Sequence, residues 1–181
     1  MRYASGYEPE LWKGAVAGLA AGLAGTVAMT QFQNAWAKIS EQRTANGNQE
    51  RKKENREQQQ EQGEPATAIA SRKLARGLFH RELSGTEKEK ASYAVHYAFG
   101  TLMGGAYGVA AEFVPQARAG FGLPFATALF LGGDELAVPA LGLSRPAKEY
   151  PLSAHIYGLL SHLVYGASTE AVRRGVRAVL R

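Results

Sequence analysis

Four apolar blocks separated by polar stretches dominate the chain: 12–37, 91–114, 119–143 and 152–172. Each approaches the roughly 20 residues that a helix needs to cross a bilayer. None carries the charged face of a surface helix in a soluble protein. Aromatic and basic residues stand at the block ends, as they do at membrane interfaces: Trp12, Lys13, Trp36, Lys38, Tyr150, Arg173 and Arg174. The pattern predicts an all-α integral membrane helical bundle with about four transmembrane helices, and a soluble four-helix bundle is the alternative.

A polar segment lies between the first two blocks. Residues 39–65 are mostly Glu, Gln, Lys, Arg and Asn, a composition that cannot bury a core and predicts a flexible insert. The chain therefore divides into an N-terminal region with the first transmembrane helix (1–38), this insert (39–65), a connecting region (66–90) and a three-helix membrane region with a basic C-terminal tail (91–181). Ser84 and Glu87 have the spacing of a capping box that opens the next helix.

The connecting region has the pattern of a basic amphipathic helix. Its apolar side is formed by Ala66, Ile69, Ala70, Leu74, Leu78 and Phe79, and its basic side by Arg72, Lys73, Arg76 and Arg81. Such a helix beside a transmembrane span either lies on the membrane surface or packs on the end of the bundle.

The charge and composition exclude several kinds of chemistry. The chain has no cysteine, so disulfides, thiolate metal sites and cysteine nucleophiles are excluded. Its 21 Lys and Arg against 16 Asp and Glu give a mild basic excess, and in the insert these charges alternate in sign, which argues against nucleic acid as a partner. Basic residues lie in the loops after the first and third blocks and also in the C-terminal tail, so the membrane orientation stays open.

Glycines recur every fourth residue in two of the blocks. Gly14, Gly18 and Gly22 share one helix face, and Gly100, Gly104 and Gly108 share another. Small residues at this spacing let helix backbones approach closely in a bilayer. They are expected to pack helices together, either within one bundle or in a homo-oligomer or larger membrane complex.

The second and fourth blocks resemble each other. Both open with histidine, at His96 and His155, and both close with Tyr-Gly-x-x-x-Glu, at 107–112 and 165–170. An internal repeat of this kind predicts two helix pairs with the same orientation in the membrane, a parallel repeat.

Ionisable residues inside the blocks are candidates for function, because such groups are costly in a membrane. The predicted polar site contains Asp134, Glu135, His162, His96, His155, Glu112 and Glu170. Asp134 and Glu135 stand near the middle of the third block, after Gly132-Gly133 and before Pro139. Adjacent residues of a straight helix point in different directions, so we expect a helix break that lets both acids face inward.

Familiar catalytic and metal-binding motifs are missing from the chain. It has no His-Glu-x-x-His, no phosphate-binding glycine loop and no Gly-x-Ser-x-Gly elbow. We therefore expect no enzyme activity, no cofactor and no metal. The leading hypothesis is a transport or permeation protein with a protonatable mid-membrane site, and the alternative is an accessory subunit that packs against a larger membrane complex.

An ordered set of motifs carries a family resemblance. "HYAFGTLMGGAYG", "GLPF" followed by "GGDELAVPALGLS", and "EYPLSAHIYGLLSHLVYG" resemble the YagU-like bacterial inner-membrane proteins, as does "LWKGAVAGLAAG" near the start. The resemblance covers the first block and the chain from about Tyr93, but not the insert. It implies a multi-pass protein of the bacterial inner membrane and assigns no catalytic residues.

Overall fold

The computed structural model describes residues 10–45 and 64–180, and their regular elements are all helical, as predicted. The elements in chain order are α1 (Leu11–Ala45), α2 (Ala66–Phe79), α3 (Gly85–Phe113), a 3₁₀ turn (Pro115–Gly122), α4 (Leu123–Leu129), a π-helix (Phe130–Ala137), one α-helical turn (Val138–Ala140), a second 3₁₀ turn (Ala147–Glu149) and α5 (Leu152–Val179). The run from α4 to Ala140 is continuous and is called the third segment below.

The two glycine faces meet each other, because α1 and α3 pack antiparallel. A Cβ atom on Gly22 would lie 2.6 Å from the carbonyl oxygen of Gly100, and one on Gly104 would lie 2.6 Å from that of Gly18. Gly14 and Gly108 make the same close approach one turn further along. All six predicted packing glycines therefore contact one another within one chain, which leaves these faces covered.

Helices α3 and α5 run parallel to each other. Contacts between them advance together along both helices: the Tyr165 hydroxyl donates to the Gly100 carbonyl (2.6 Å), the Tyr107 hydroxyl to Glu170 (2.9 Å), and Arg177 binds Glu112 (2.7 Å). The pairs α1–α3 and third segment–α5 are both antiparallel. This is the arrangement expected of a parallel repeat.

The repeated helix pairs also share a packing contact. Gly108 faces Gly14 and Gly18 of α1, and the corresponding Gly166 faces Gly122, the last residue of the first 3₁₀ turn, and Ala126 of the third segment. Both tyrosine–glycine positions thus mark a close approach of one helix to a neighbouring stretch of backbone, which gives the sequence similarity a physical cause.

Helix α2 packs on α3 through its small residues and not through its large apolar ones. Its buried residues are the small Ala68, Ser71 and Ala75, and the Thr67 hydroxyl bonds that of Ser92 on α3 (2.7 Å). The large residues of the predicted apolar side remain exposed, by 49% at Leu74, 68% at Leu78 and 72% at Phe79. Small side chains allow the closer approach to α3, so the side with small residues faces the bundle.

Within residues 10–45 and 64–180, two stretches are long and apolar enough to cross a membrane. They are Leu11–Gln42, with a mean hydropathy of 1.4, and Gln116–Ala140, with 1.3. In the most apolar part of the second stretch only 17% of the residues are buried inside the molecule, against 44% in the first. A core helix of a soluble protein would be mostly buried, so the exposed apolar surface of this stretch favours a lipid environment.

The polar insert begins later than predicted. Helix α1 continues through residues 39–45, which the sequence pattern assigns to the insert, and described structure resumes at Glu64. The predicted flexibility of residues 46–63 falls outside the described residues.

Candidate functional site

A cavity of about 520 Å³ lies between α1, α2, α3, α5 and the third segment. Its walls are mostly apolar, with Met29, Phe99 and Phe130 among them. Five of the seven residues of the predicted polar site line it: His96, Asp134, Glu135, His155 and His162. The cavity has the size typical of small-molecule sites, with a few polar groups on an apolar surface.

The two acids reach the cavity without the predicted helix break. Residues Phe130–Ala137 form a continuous π-helix, in which the Val138 N–H donates to the Gly133 carbonyl five residues earlier. Pro139 has no N–H, and its ring clashes with the carbonyl four residues earlier in a regular α-helix, which favours a wider turn. A wider turn reduces the angle between neighbouring side chains, so Asp134 and Glu135 both line the cavity.

Each acid of the third segment faces a histidine of α5. Glu135 Oε1 lies 2.8 Å from His155 Nδ1, and Asp134 Oδ2 lies 3.7 Å from His162 Nε2. The His155–Glu135 contact is a hydrogen bond. The His162–Asp134 contact is longer than a hydrogen bond, and the Asp134 side chain remains 51% exposed.

The backbone determines which nitrogen of His162 carries a proton. Nδ1 lies 2.9 Å from the Gly158 carbonyl oxygen, which can only accept, so Nδ1–H is the donor. In the neutral ring Nε2 then presents a lone pair toward the Asp134 carboxylate. The two acceptors repel each other unless a proton is bound by the ring or by the acid. The geometry therefore makes this pair a proton-binding site.

His96 brings a third imidazole to the cavity from α3. Its Nε2 is buried, and no atom within residues 10–45 and 64–180 bonds it. His155 lies in the first turn of α5, whereas His96 is the twelfth residue of α3, and both line the same cavity as the acids.

Glu170 lies outside the cavity, in a buried ion cluster. It is fully buried and accepts from Arg173 Nε (2.7 Å) and Nη2 (2.9 Å), from Arg174 Nε (2.7 Å) and from the Tyr107 hydroxyl (2.9 Å). Fifteen residues of helix separate it from His155, about 22 Å at 1.5 Å per residue. Glu170 therefore does not line the cavity that Asp134 lines.

Glu112 is bound in the same region by a different arginine. Arg177 donates through Nε (2.7 Å) and Nη2 (3.0 Å) to its two carboxylate oxygens, and Glu10 lies 3.7 Å from the same guanidinium. Glu112 is 3% exposed, and it too does not belong to the cavity. We call Glu112, Glu170, Arg173, Arg174 and Arg177 the arginine cluster.

The sequence prediction did not include the arginines and Tyr107 of this region. Arg173 and Arg174 resemble interfacial anchors at the end of a span, which conceals their role. Their positions three and four residues after Glu170 were the available signal, because such residues are neighbours on a helix. Glu112 and Arg177 carry no such signal, since they are 65 residues apart.

The described residues contain no group of three or more His, Asp or Glu side chains able to hold a metal ion. The imidazoles and carboxylates that line the cavity can bind protons and recognise charge. Fold and site together define a class of small all-helical proteins with apolar helices of membrane-spanning length around a titratable cavity.

Residues 55–171 match the model of a family described as "Protein of unknown function (DUF1440)". The match covers more than half of the 181 residues, so the chain belongs to this family. It includes α2, which the resemblance to YagU-like proteins leaves out, and it does not include α1. Comparison with curated proteins and with solved structures finds no similar protein.

Proposed function

We propose that this chain is a multi-pass protein of the bacterial inner membrane that moves protons, alone or coupled to a solute, through the cavity. The observation that carries the proposal is the His162–Asp134 pair, in which Nδ1 is tied to the Gly158 carbonyl and Nε2 faces the acid. Intramembrane pairs of this kind are typical of proton relays in pumps and transporters.

Membrane embedding rests on the exterior of the bundle. Large apolar side chains are exposed on the four helical segments that form it, for example Leu23 (47%), Leu102 (60%), Leu136 (67%) and Ile156 (48%). Two of these segments have the composition of a span. In the proposal α3 and α5 cross the bilayer beside them. The resemblance to YagU-like proteins supports the inner membrane as the location.

The Glu135–His155 pair supplies a second proton-binding group in the same cavity. Its side chains are 20% and 28% exposed, between the 9% of His162 and the 51% of Asp134. We assign Asp134 to the entry of protons into the cavity and His162, the most buried of these groups, to the inner step. The proposal includes no catalytic reaction.

The accessory-subunit alternative would need a surface other than the glycine faces, because these are covered by each other between α1 and α3. The transport proposal needs no such surface.

The test is proton flux into liposomes that contain the purified protein and an entrapped pH-sensitive dye. We expect flux above that of protein-free liposomes, and a loss of at least about tenfold in Asp134→Asn, since each 1.4 kcal/mol of lost interaction costs a factor of ten. Glu149→Gln is the matched control, because Glu149 is exposed and does not line the cavity. Absence of flux in the native protein, or equal flux in both variants, contradicts the proposal.

A further inference from the structure

We propose that the cavity binds an organic cation with an apolar body and exchanges it for a proton held between Asp134 and His162. This inference rests on the proposed function and assigns its solute. It follows from the charge of the cavity, its size and the exposed position of one carboxylate.

The charges that line the cavity favour a cation. Three carboxylates line it, those of Glu64, Asp134 and Glu135, and no described lysine or arginine does. Glu64 is paired with Arg72 at 2.8 Å, so the unneutralised charge belongs to the two acids of the third segment. When the histidines are neutral, the cavity has a net negative charge that an anionic ligand would have to overcome.

Other polar groups around the cavity carry no permanent charge. α3 contributes His96, α5 contributes His155, His162 and Tyr165, and the preceding loop contributes Tyr150. Thr26 and Gln33 of α1, Thr67 of α2 and Ser144 of the loop after the third segment complete the polar side chains of the lining. The charge of the cavity therefore depends on the three imidazoles and two carboxylates, and it becomes less negative as protons bind.

The size and walls of the cavity indicate an organic molecule instead of a bare ion. About 520 Å³ is far more than one metal ion or proton needs, and it lies within the range of roughly 300–1,000 Å³ seen for small-molecule sites. Phe99 and Phe130 present aromatic rings beside aliphatic side chains. Aromatic faces attract cations, most strongly those that carry little water, such as quaternary ammonium groups.

The cation and the proton compete for binding to the Asp134 carboxylate. Its side chain is half exposed, while the His162 side chain behind it is 9% exposed. A proton bound between them neutralises the carboxylate. A cation that pairs with Asp134 takes over this role, so one proton leaves for each positive charge that enters. The charge of the cavity is the same before and after the exchange.

The probes are benzyltrimethylammonium, whose charge does not depend on pH, and 3-phenylpropanoate, an anion with a similar ring. Calorimetric titration of the purified protein in detergent, in two buffers with different ionisation enthalpies, gives both affinity and proton release. We expect the cation to bind with release of about one proton and the anion not to bind. In the pH range where the Asp134–His162 pair is protonated, the affinity for the cation falls about tenfold for each unit by which the pH is lowered, because binding and proton release are linked.

Asp134→Asn is expected to weaken cation binding at least about tenfold and to abolish proton release, whereas Glu149→Gln leaves both unchanged. Equal binding of cation and anion, cation binding without proton release, or native affinity in Asp134→Asn overturns the inference. Folding of Asp134→Asn is checked by its helical circular dichroism and its elution profile. Proton flux without cation binding overturns only this inference, while cation binding with proton release but no flux overturns only the transport proposal.

Discussion

The two ends of the bundle hold carboxylates by different means. In the arginine cluster, Glu112 and Glu170 are buried and each is bound by a guanidinium through two hydrogen bonds. At the cavity, Asp134 and Glu135 face histidines, and Asp134 is half exposed. Arginine keeps its charge throughout the accessible pH range, whereas histidine changes charge near neutrality. One end therefore has fixed charges, and the other end has charges that can change.

Packing is close at the arginine cluster and uneven around the cavity. Beside the arginine cluster, Gly108 lies against the backbone of Gly14, and Gly166 lies against that of Gly122. At the cavity wall, a Cβ on Gly133 would meet only Leu129 Cδ1 at 3.9 Å, whereas one on Gly158 would lie 2.8 Å from the Phe130 ring. The fixed ion pairs thus coincide with close backbone contact, which indicates that the arginine cluster stabilises the bundle.

The largest expected effect is on stability when the arginine cluster loses one acid. Glu170→Gln removes the carboxylate that binds Arg173, which is 3% exposed, and Arg174. Removing one partner of a buried ion pair costs about 3–5 kcal/mol. Asp134→Asn, at the other end, is expected to change the free energy of unfolding by less than about 1 kcal/mol, because its partner is distant and its side chain meets solvent. Unfolding of the purified variants in detergent measures both, and equal losses would remove the distinction between the ends.

A smaller difference is expected from adding one methyl group at a packed glycine and at an open one. In Gly108→Ala the new Cβ would lie 2.6 Å from the Cα of Gly18 and closer still to the carbonyl oxygen of Gly14, so α1 and α3 must separate. Overpacking of this kind costs about 1–3 kcal/mol.

Gly132→Ala is the matched control for this substitution, because nothing occupies the space around it. It is expected to leave stability within about 0.5 kcal/mol of the native protein. The apparent melting temperature of the two variants in the same detergent provides the measurement. A Gly108→Ala protein as stable as Gly132→Ala would show that the glycine contact is not needed.

The sequence predicted the cavity end better than the arginine cluster, for a physical reason. Acids and histidines inside apolar blocks are conspicuous because apolar segments rarely contain them. Five of the seven proposed residues line one cavity. Arginines beyond the end of a block are ordinary interfacial residues by pattern. Their pairing depends on the register of two parallel helices, as in Arg177 with Glu112, and one sequence does not contain that register.

The local conformation of the third segment was only partly predictable. Gly132, Gly133 and Pro139 indicated an irregular helix, and irregularity is present, but as a continuous π-helix instead of a break. Both conformations relieve the same clash at proline. The choice between them depends on the packing of the segment against α5, where Phe130 contacts His162 at a ring distance of 5.5 Å.

The smallest expected effect concerns an exposed arginine–glutamate pair, and it tests whether the stability of the arginine cluster comes from pairing with arginine or from burial. Glu87, at the start of α3, pairs with Arg81 as the acids of the arginine cluster pair with arginine, but its side chain is 44% exposed. The Ser84 backbone N–H donates to Glu87 (2.9 Å), and this hydrogen bond, with the nearby Arg81, lowers the pKa of Glu87 from 4.5 to about 2. The stabilisation by the charged form is therefore fully present above pH 4.5 and is lost as the pH falls toward 2.

Glu87→Gln tests this pH dependence. The variant should be slightly less stable than the native protein at neutral pH, and the difference should shrink between pH 4.5 and 2, where native Glu87 takes up its proton. Thermal unfolding of both proteins across this range measures it, with Glu89→Gln on the same helix turn as the exposed control. Because Glu87 lies in water, its effect should stay well below that of Glu170→Gln. A loss as large as that of Glu170→Gln would mean that pairing with arginine, and not burial, gives the arginine cluster its strength.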